Sequence, residues 1–164
     1  MFDLSGKTAL VTGASGGIGA AIATALHAQG ASVVLHGTRA ERLAALQAEL
    51  GERAFIVTAD LGDREAVTEV IAEAIEKAGP ISILVNNAGI TRDNLAMRMK
   101  DEEWDKVLDV NLTASMILCR SAMRGMMKAR HGRIISISSI VGVTGNPGQT
   151  NYAASKAGII GFSK

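Results

Sequence analysis

Thr8-Ala9-Leu10-Val11-Thr12-Gly13-Ala14-Ser15-Gly16-Gly17-Ile18-Gly19 is a short apolar run, a turn rich in glycine, and the opening of a helical pattern. The run has the length and apolar content of a buried strand. Ile18, Ile22, Ala25 and Leu26 continue at helical spacing, so the glycines join a strand to a helix. Gly13, Gly17 and Gly19 meet three needs of such a turn: a backbone at positive φ, close approach of main chain to a phosphate, and tight packing of helix on strand. The helix N-terminus beyond them offers unpaired N–H groups and the positive end of a dipole. Strand, glycines and helix together point to nucleotide binding, whereas glycines alone would serve packing equally well.

Outward from this turn the same alternation repeats. Ser32-Val33-Val34-Leu35, Ala54-Phe55-Ile56-Val57-Thr58, Ile81-Ser82-Ile83-Leu84-Val85 and Arg133-Ile134-Ile135-Ser136-Ile137-Ser138 read as further strands, separated by longer helical stretches. Val67, Val70, Ile71, Ala74, Ile75 and Ala78 form one apolar stripe, with Glu65, Glu69, Glu73 and Glu76 on the opposite face. Asp101, Glu102 and Glu103 are placed to cap a long helix that runs toward Lys128 and stops before Gly132. This alternation predicts an α/β fold, a doubly wound parallel sheet of the Rossmann type, in a single domain over residues 1–164. Residues 151–164 read as the first turns of another helix. A sheet of this kind usually has a sixth strand, so the fold is expected to be truncated after the fifth strand and the start of that helix.

Composition narrows the function. The 164 residues are 48% hydrophobic and 20% charged, enough for one substantial core. With 17 basic and 16 acidic residues the net charge is +1, so no broad field favours nucleic acid or an anionic membrane. Cys119 is the single cysteine, which leaves no internal disulfide and fits a reducing compartment. Met1-Phe2-Asp3-Leu4-Ser5-Gly6-Lys7 lacks the basic start and long apolar run of a leader, and a cytoplasmic location is expected. His27, His36 and His131 are scattered, and no metal site is expected.

The choice of dinucleotide is set near the end of the second strand. An acid there would bind a ribose 2′-hydroxyl, but His36-Gly37-Thr38-Arg39 contains none. The Arg39 guanidinium suits a 2′-phosphate instead, which points to NADPH/NADP+; as a bland alternative Arg39 is a solvated charge. Asp60-Leu61 follows the third strand and is placed to border the adenine, unless Asp60 only shapes its loop.

Tyr152 and Lys156 are four residues apart near the chain's end. A phenol with an unperturbed pKa of about 10 needs help to act at neutral pH. On a helix, an ammonium at about 5 Å and an effective dielectric of about 20 favours the phenolate by roughly 3 kcal/mol. Ser139, at the expected end of the fifth strand, can donate to a carbonyl oxygen there. A strand-end cap is its bland alternative. Small residues from Gly142 to Gln149 leave room for an extended substrate.

The set Thr12-Gly13-x-x-x-Gly17-x-Gly19, Asn86-Asn87-Ala88-Gly89, Asn111, Ser139 and Tyr152-x-x-x-Lys156 resembles the short-chain dehydrogenase/reductase family in order and spacing, over essentially the whole chain. Two stretches, Asn86 to Asp93 and Gly145 to Gly158, most resemble members that reduce 3-oxoacyl thioesters on acyl carrier protein in fatty acid biosynthesis. The resemblance implies an NADPH-dependent oxidoreductase. It assigns Asn111, Ser139, Tyr152 and Lys156 to catalysis, with Lys156 also holding the nicotinamide ribose and Asn111 holding a water that links Lys156 to solvent. It assigns Gly13, Ser15, Gly16, Gly17, Ile18, Gly19, Thr38, Arg39, Asp60, Leu61, Asn87, Ala88 and Gly89, besides Tyr152 and Lys156, to the cofactor. A homotetramer is implied, and Arg130 and Arg133 could meet the acidic carrier protein. Gly16 departs from the basic residue of many NADPH-using relatives, which shifts 2′-phosphate recognition to Arg39. An acetoacetyl-CoA reductase, another alcohol, sugar or steroid dehydrogenase, and a non-catalytic cofactor-binding or oligomerisation protein stay open. The Tyr-Lys spacing argues against enoyl reductases of the family.

Overall fold

The structure, a computed structural model, describes residues 3–164; Met1 and Phe2, part of the expected domain and of the leader reading, lie outside the described residues. Strands β1 (Thr8–Val11), β2 (Ser32–Gly37), β3 (Ala54–Thr58), β4 (Ile83–Asn86) and β5 (Arg133–Ser136) form one parallel sheet in the order β3-β2-β1-β4-β5. The fold is the expected Rossmann-like α/β arrangement. Leu10 pairs with Val34 on one side and Leu84 on the other. β1 and β4 are buried throughout and β2 nearly so, which is why their sequences are apolar without alternation.

Helices cover both faces. α1 (Gly17–Ala28) and α2 (Ala40–Leu50) bring Ala23, Leu43 and Leu46 against Val11, Val33, Leu35 and Val85. On the other face, α3 (Arg64–Ala78) places Val67, Val70, Ile71 and Ala74 against Leu10, Val34 and Val57. Ile75, assigned to that stripe, is instead 42% exposed; a fifteen-residue helix with four inward positions has turned past the sheet there. In α1 the buried positions are Gly19 and Ala23, while Ile18 is 65% exposed, because close approach of helix to strand needs the small residues inside.

The stretch read as one long helix from Asp101 is α4 (Asp101–Leu108), a π-helical turn at Asp109–Thr113, and α5 (Ala114–Ala129). Asp101 does not cap it. The Glu103 carboxylate accepts from the Lys100 N–H at 2.9 Å and caps the first turn from within. The C-terminal stop comes at Arg130 in the left-handed conformation (φ 51), before Gly132. β5 ends at Ser136, so Ser139 lies three residues beyond the strand rather than at its tip. A short helical turn, α6 (Val141–Thr144), begins within the run of small residues after Ser139, and α7 (Thr150–Phe162) is the helix expected from residue 151. α7 packs on α4, α6 and the π turn.

Candidate active site

The strand order reverses between β1 and β4, and a crevice opens at the C-terminal ends of these two strands. Buried Thr12 builds its floor. Its Oγ1 accepts from the N–H groups of Asn87 and Ala88, both at 3.0 Å, and donates to the Val85 carbonyl at 3.2 Å, which uses every bond a hydroxyl can make. Asn87 Nδ2 returns a bond to the Thr12 carbonyl at 2.8 Å. Gly13, at φ 68, lies so close to this stretch that a Cβ would stand 2.9 Å from Ala88 Cα. The glycine turn is thereby clamped to the Asn86–Gly89 segment, seventy-odd residues away in sequence.

Above this floor is a cleft of about 690 Å³. Gly13, Ser15, Gly16, Gly17, Ile18, Gly19, Thr38, Arg39, Asp60, Leu61, Asn87, Ala88 and Gly89 all line it. α1 begins at Gly17, its N-cap Gly16 makes no side-chain cap bond, and no acid occupies the first turn. The first N–H groups of α1 are therefore turned toward the cleft without partners, a fitting cradle for a pyrophosphate. A Cβ on Gly17 would meet nothing within 4 Å, so the ligand side of the turn is open. Arg39 reaches over it: Nη2 donates to the Ser15 carbonyl at 2.5 Å and Nε to Ser15 Oγ at 3.4 Å. Asp60 does shape its loop, accepting from Gly62 N at 2.7 Å, and pairs with Lys106 at 3.0 Å. The Gly62 bond, then Lys106, holds its carboxyl below the usual range. Arg92, Lys106 and His36 also line the cleft and carried no sequence signal of their own. The residues present fit a dinucleotide.

Tyr152 and Lys156 do not line this cleft, but Lys156 meets its edge at Gly89. A Cβ on Gly89 would stand 3.6 Å from Lys156 Nζ and 3.3 Å from Asn111 Oδ1. Lys156 is only 5% exposed, its Nζ donates to the Ile137 carbonyl at 2.7 Å, and it sits 5.7 Å from the centre of the Tyr152 ring. Burial pushes its pKa down. Ser138 Oγ donates to the Lys156 carbonyl at 2.9 Å, so the segment after β5 grips this residue at both ends. Ser139 Oγ accepts from Val141 N at 3.2 Å, at the start of α6 and not at the end of β5. An acceptor bond leaves the hydroxyl proton free to donate elsewhere.

Asn111 sits inside the π turn and is buried. Its amide bonds both polar groups of the Ile90 backbone and donates to Ser155 Oγ at 3.0 Å. Its side chain ties the β4 loop to α7, and its Oδ1 faces the same point at Gly89 as Lys156 Nζ. Ser155 and Ser138 escaped the sequence reading as site residues, and Gly142 was read only as leaving room for substrate. A Cβ on Gly142 would lie 2.7 Å from the Lys156 carbonyl carbon, but a glycine in a run of small residues gives no sign of that contact.

Residues 7–164 match the family described as short chain dehydrogenase. Nodulation protein G of Rhizobium sp. (strain N33) is 61% identical over 164 residues, all of this chain and 67% of the relative. The 3-oxoacyl-[acyl-carrier-protein] reductase FabG of Rickettsia felis is 54% identical over 164 residues, covering all of this chain and 66% of its own length. The reductase of the same name from Haemophilus influenzae is 50% identical over 161 residues, 98% of this chain and 66% of the relative. The chain thus spans about two thirds of the length of these curated relatives.

Proposed function

Because this chain belongs to the short-chain dehydrogenase family, a family of nicotinamide-dependent oxidoreductases, we propose that it reduces a 3-oxoacyl thioester on acyl carrier protein to the 3-hydroxyacyl thioester with NADPH, in fatty acid biosynthesis. The observation that carries this reading is the junction at Gly89, where the nucleotide cleft meets Lys156 and Asn111. The substrate follows from relatives whose name states that reaction; the name nodulation protein G states none.

A bound reduced nicotinamide supplies hydride to the substrate carbon. The chain's own residues handle the carbonyl oxygen. Ser139 Oγ, one lone pair engaged by Val141 N, donates a hydrogen bond to that oxygen and keeps its proton. Tyr152 transfers the single proton the oxygen needs, so negative charge does not accumulate there. Lys156, held by Ile137 and lying beside the tyrosine ring, favours the phenolate left behind and, at the edge of the cleft near Gly89, would hold the nicotinamide ribose. Asn111 keeps the β4 loop and α7 in register. Arg39 and the free N–H groups of α1 bind phosphates, the guanidinium selecting the 2′-phosphate.

The remaining parts of the reading are proposals of the same kind. Residues 1–164 act as one dinucleotide-binding domain. Arg130 and Arg133, both exposed, receive the acidic carrier protein. A homotetramer is what the family resemblance implies; Met127, Ile134 and Ile135 are exposed apolar residues available to an interface. The location is cytoplasmic; no helix among the described residues is long and apolar enough to cross a membrane.

The test is NADPH oxidation with acetoacetyl thioesters of carrier protein and of CoA and with simple ketones. It is run on this chain and on a form extended to the length of its relatives. Preference for the carrier thioester is expected. Activity confined to free ketones, or no NADPH oxidation in either form, overturns the reading.

A further inference from the structure

Asn151 is fully buried, at 0% exposure, immediately before Tyr152. Each of its polar atoms is committed. Nδ2 donates to the carbonyl oxygens of Arg92 at 2.9 Å and Glu103 at 3.2 Å, and Oδ1 accepts from Tyr152 N at 2.7 Å. The first turn of a helix leaves N–H groups without intrahelical partners. In α7 the N-cap residue Gln149 satisfies none with its side chain, which is bound to Asp93 and Asn146 instead. Asn151 therefore does two things with one amide. It satisfies the Tyr152 N–H, and it ties the start of α7 to a backbone carbonyl of the β4 loop and to another in α4.

We propose that Asn151 is a positioning residue that fixes where Tyr152 stands relative to the wall of the nucleotide cleft, of which Arg92 is part. A planar amide is suited to this, because it offers two donors and an acceptor in fixed directions. Alanine removes all three bonds. Serine keeps an acceptor near Tyr152 N but cannot span to both carbonyls. The consequence for turnover rests on the oxidoreductase reading above; the consequence for the position of Tyr152 does not.

Tyr152 is the only tyrosine of the chain, so labelling with 3-fluorotyrosine yields one ¹⁹F resonance that reports on this ring alone. The experiment compares wild type, Asn151→Ala, Asn151→Ser and a control, Val67→Ala, which truncates the core on the α3 face. Binding of 2′,5′-ADP counts folded sites. The expected result is a moved or split resonance in both Asn151 variants and an unmoved one in Val67→Ala. At least a tenfold lower kcat per ADP-binding site is expected as well, with the Kd for 2′,5′-ADP within twofold of wild type. A resonance identical to wild type in Asn151→Ala with kcat within twofold overturns the proposal. Loss of folding in both Asn151 variants also counts against it, and assigns the residue to stability alone. If wild type neither binds 2′,5′-ADP nor turns over, the nucleotide reading fails, and the fluorine resonance still judges Asn151.

Discussion

Asn111 and Ile90 exchange two hydrogen bonds: Ile90 N donates to Asn111 Oδ1 at 2.8 Å, and Asn111 Nδ2 donates to the Ile90 carbonyl at 3.0 Å. A side-chain amide here plays the part of a neighbouring strand for backbone that has left the sheet. The π turn at Asp109–Thr113 makes room for it, since such turns loosen the helical ladder where a side chain is needed for another purpose. Asn111→Ala strips both Ile90 groups and Ser155 of a partner. Stability should fall by about 2 kcal/mol, on the scale of partly buried polar groups left unpaired. Urea unfolding with an unchanged slope checks this.

Arg39 contacts the glycine turn through Ser15 alone, so its removal should leave the fold intact. In Arg39→Ala, KM for NADPH is expected to rise about ten- to a hundredfold, the loss of one or two charge-assisted bonds at about 1.5–3 kcal/mol. KM for NADH should stay within about threefold. Parallel steady-state kinetics with the two cofactors decide it, and an equal change in both removes the 2′-phosphate role.

Tyr152→Phe keeps the ring against Lys156 and removes only the hydroxyl. A lost general acid lowers kcat by about 10²- to 10⁴-fold. Calorimetric binding of 2′,5′-ADP should be unaffected. Undiminished turnover would rule out the proton-delivery role.

Gly142→Ala adds a methyl group 2.7 Å from the Lys156 carbonyl carbon and 2.8 Å from Ala157 N. Neither can move aside, because both are backbone. The helical turn α6 must back away from α7, at a cost of about 1–3 kcal/mol. Thermal unfolding reads the loss. Because α6 carries the Val141 N–H that holds Ser139 Oγ, its shift moves Ser139 away from Tyr152, and kcat should fall more than the affinity for 2′,5′-ADP.

His36 is 1% exposed, and neither ring nitrogen has a hydrogen-bond partner. Burial holds its pKa down to about 4 against an ordinary 6.5; the Ala59 backbone and the Glu73 carboxylate pull weakly the other way. The unfolded chain therefore takes the proton first. This contribution to stability is complete above about pH 6.5 and is lost as pH falls toward 4, by about 3 kcal/mol at most. His36→Leu should flatten the stability curve between pH 7 and 4.5 in urea titrations. An equally steep decline in the variant would mean that other groups govern the acid limb.

Much of the fold was legible because its causes are local. Parallel strands buried on both faces read as apolar runs, as in Thr8–Val11 and Ile83–Asn86. Phosphate binding by main-chain N–H groups needs its glycines consecutive with the strand and helix that aim them, so Gly13 to Gly19 announce themselves. Arg39 could be placed from the absence of an acid after β2. The four-residue spacing of Tyr152 and Lys156 likewise belongs to one helix.

Other features exist only when distant segments meet. Thr12 shows its purpose against Asn87 and Ala88, Asn151 against Arg92 and Glu103, and Gly142 against the backbone of α7. The helical turn after Ser139, the π turn around Asn111 and the unpaired ring of His36 are likewise set by what packs beside them. By itself the sequence determined the α/β class, the nucleotide turn and the candidate proton donor, because periodicity and local backbone chemistry are carried along the chain. Tertiary structure alone decided which atoms hold those groups in place, because a hydrogen bond or a steric contact between remote residues leaves no period or spacing in either segment.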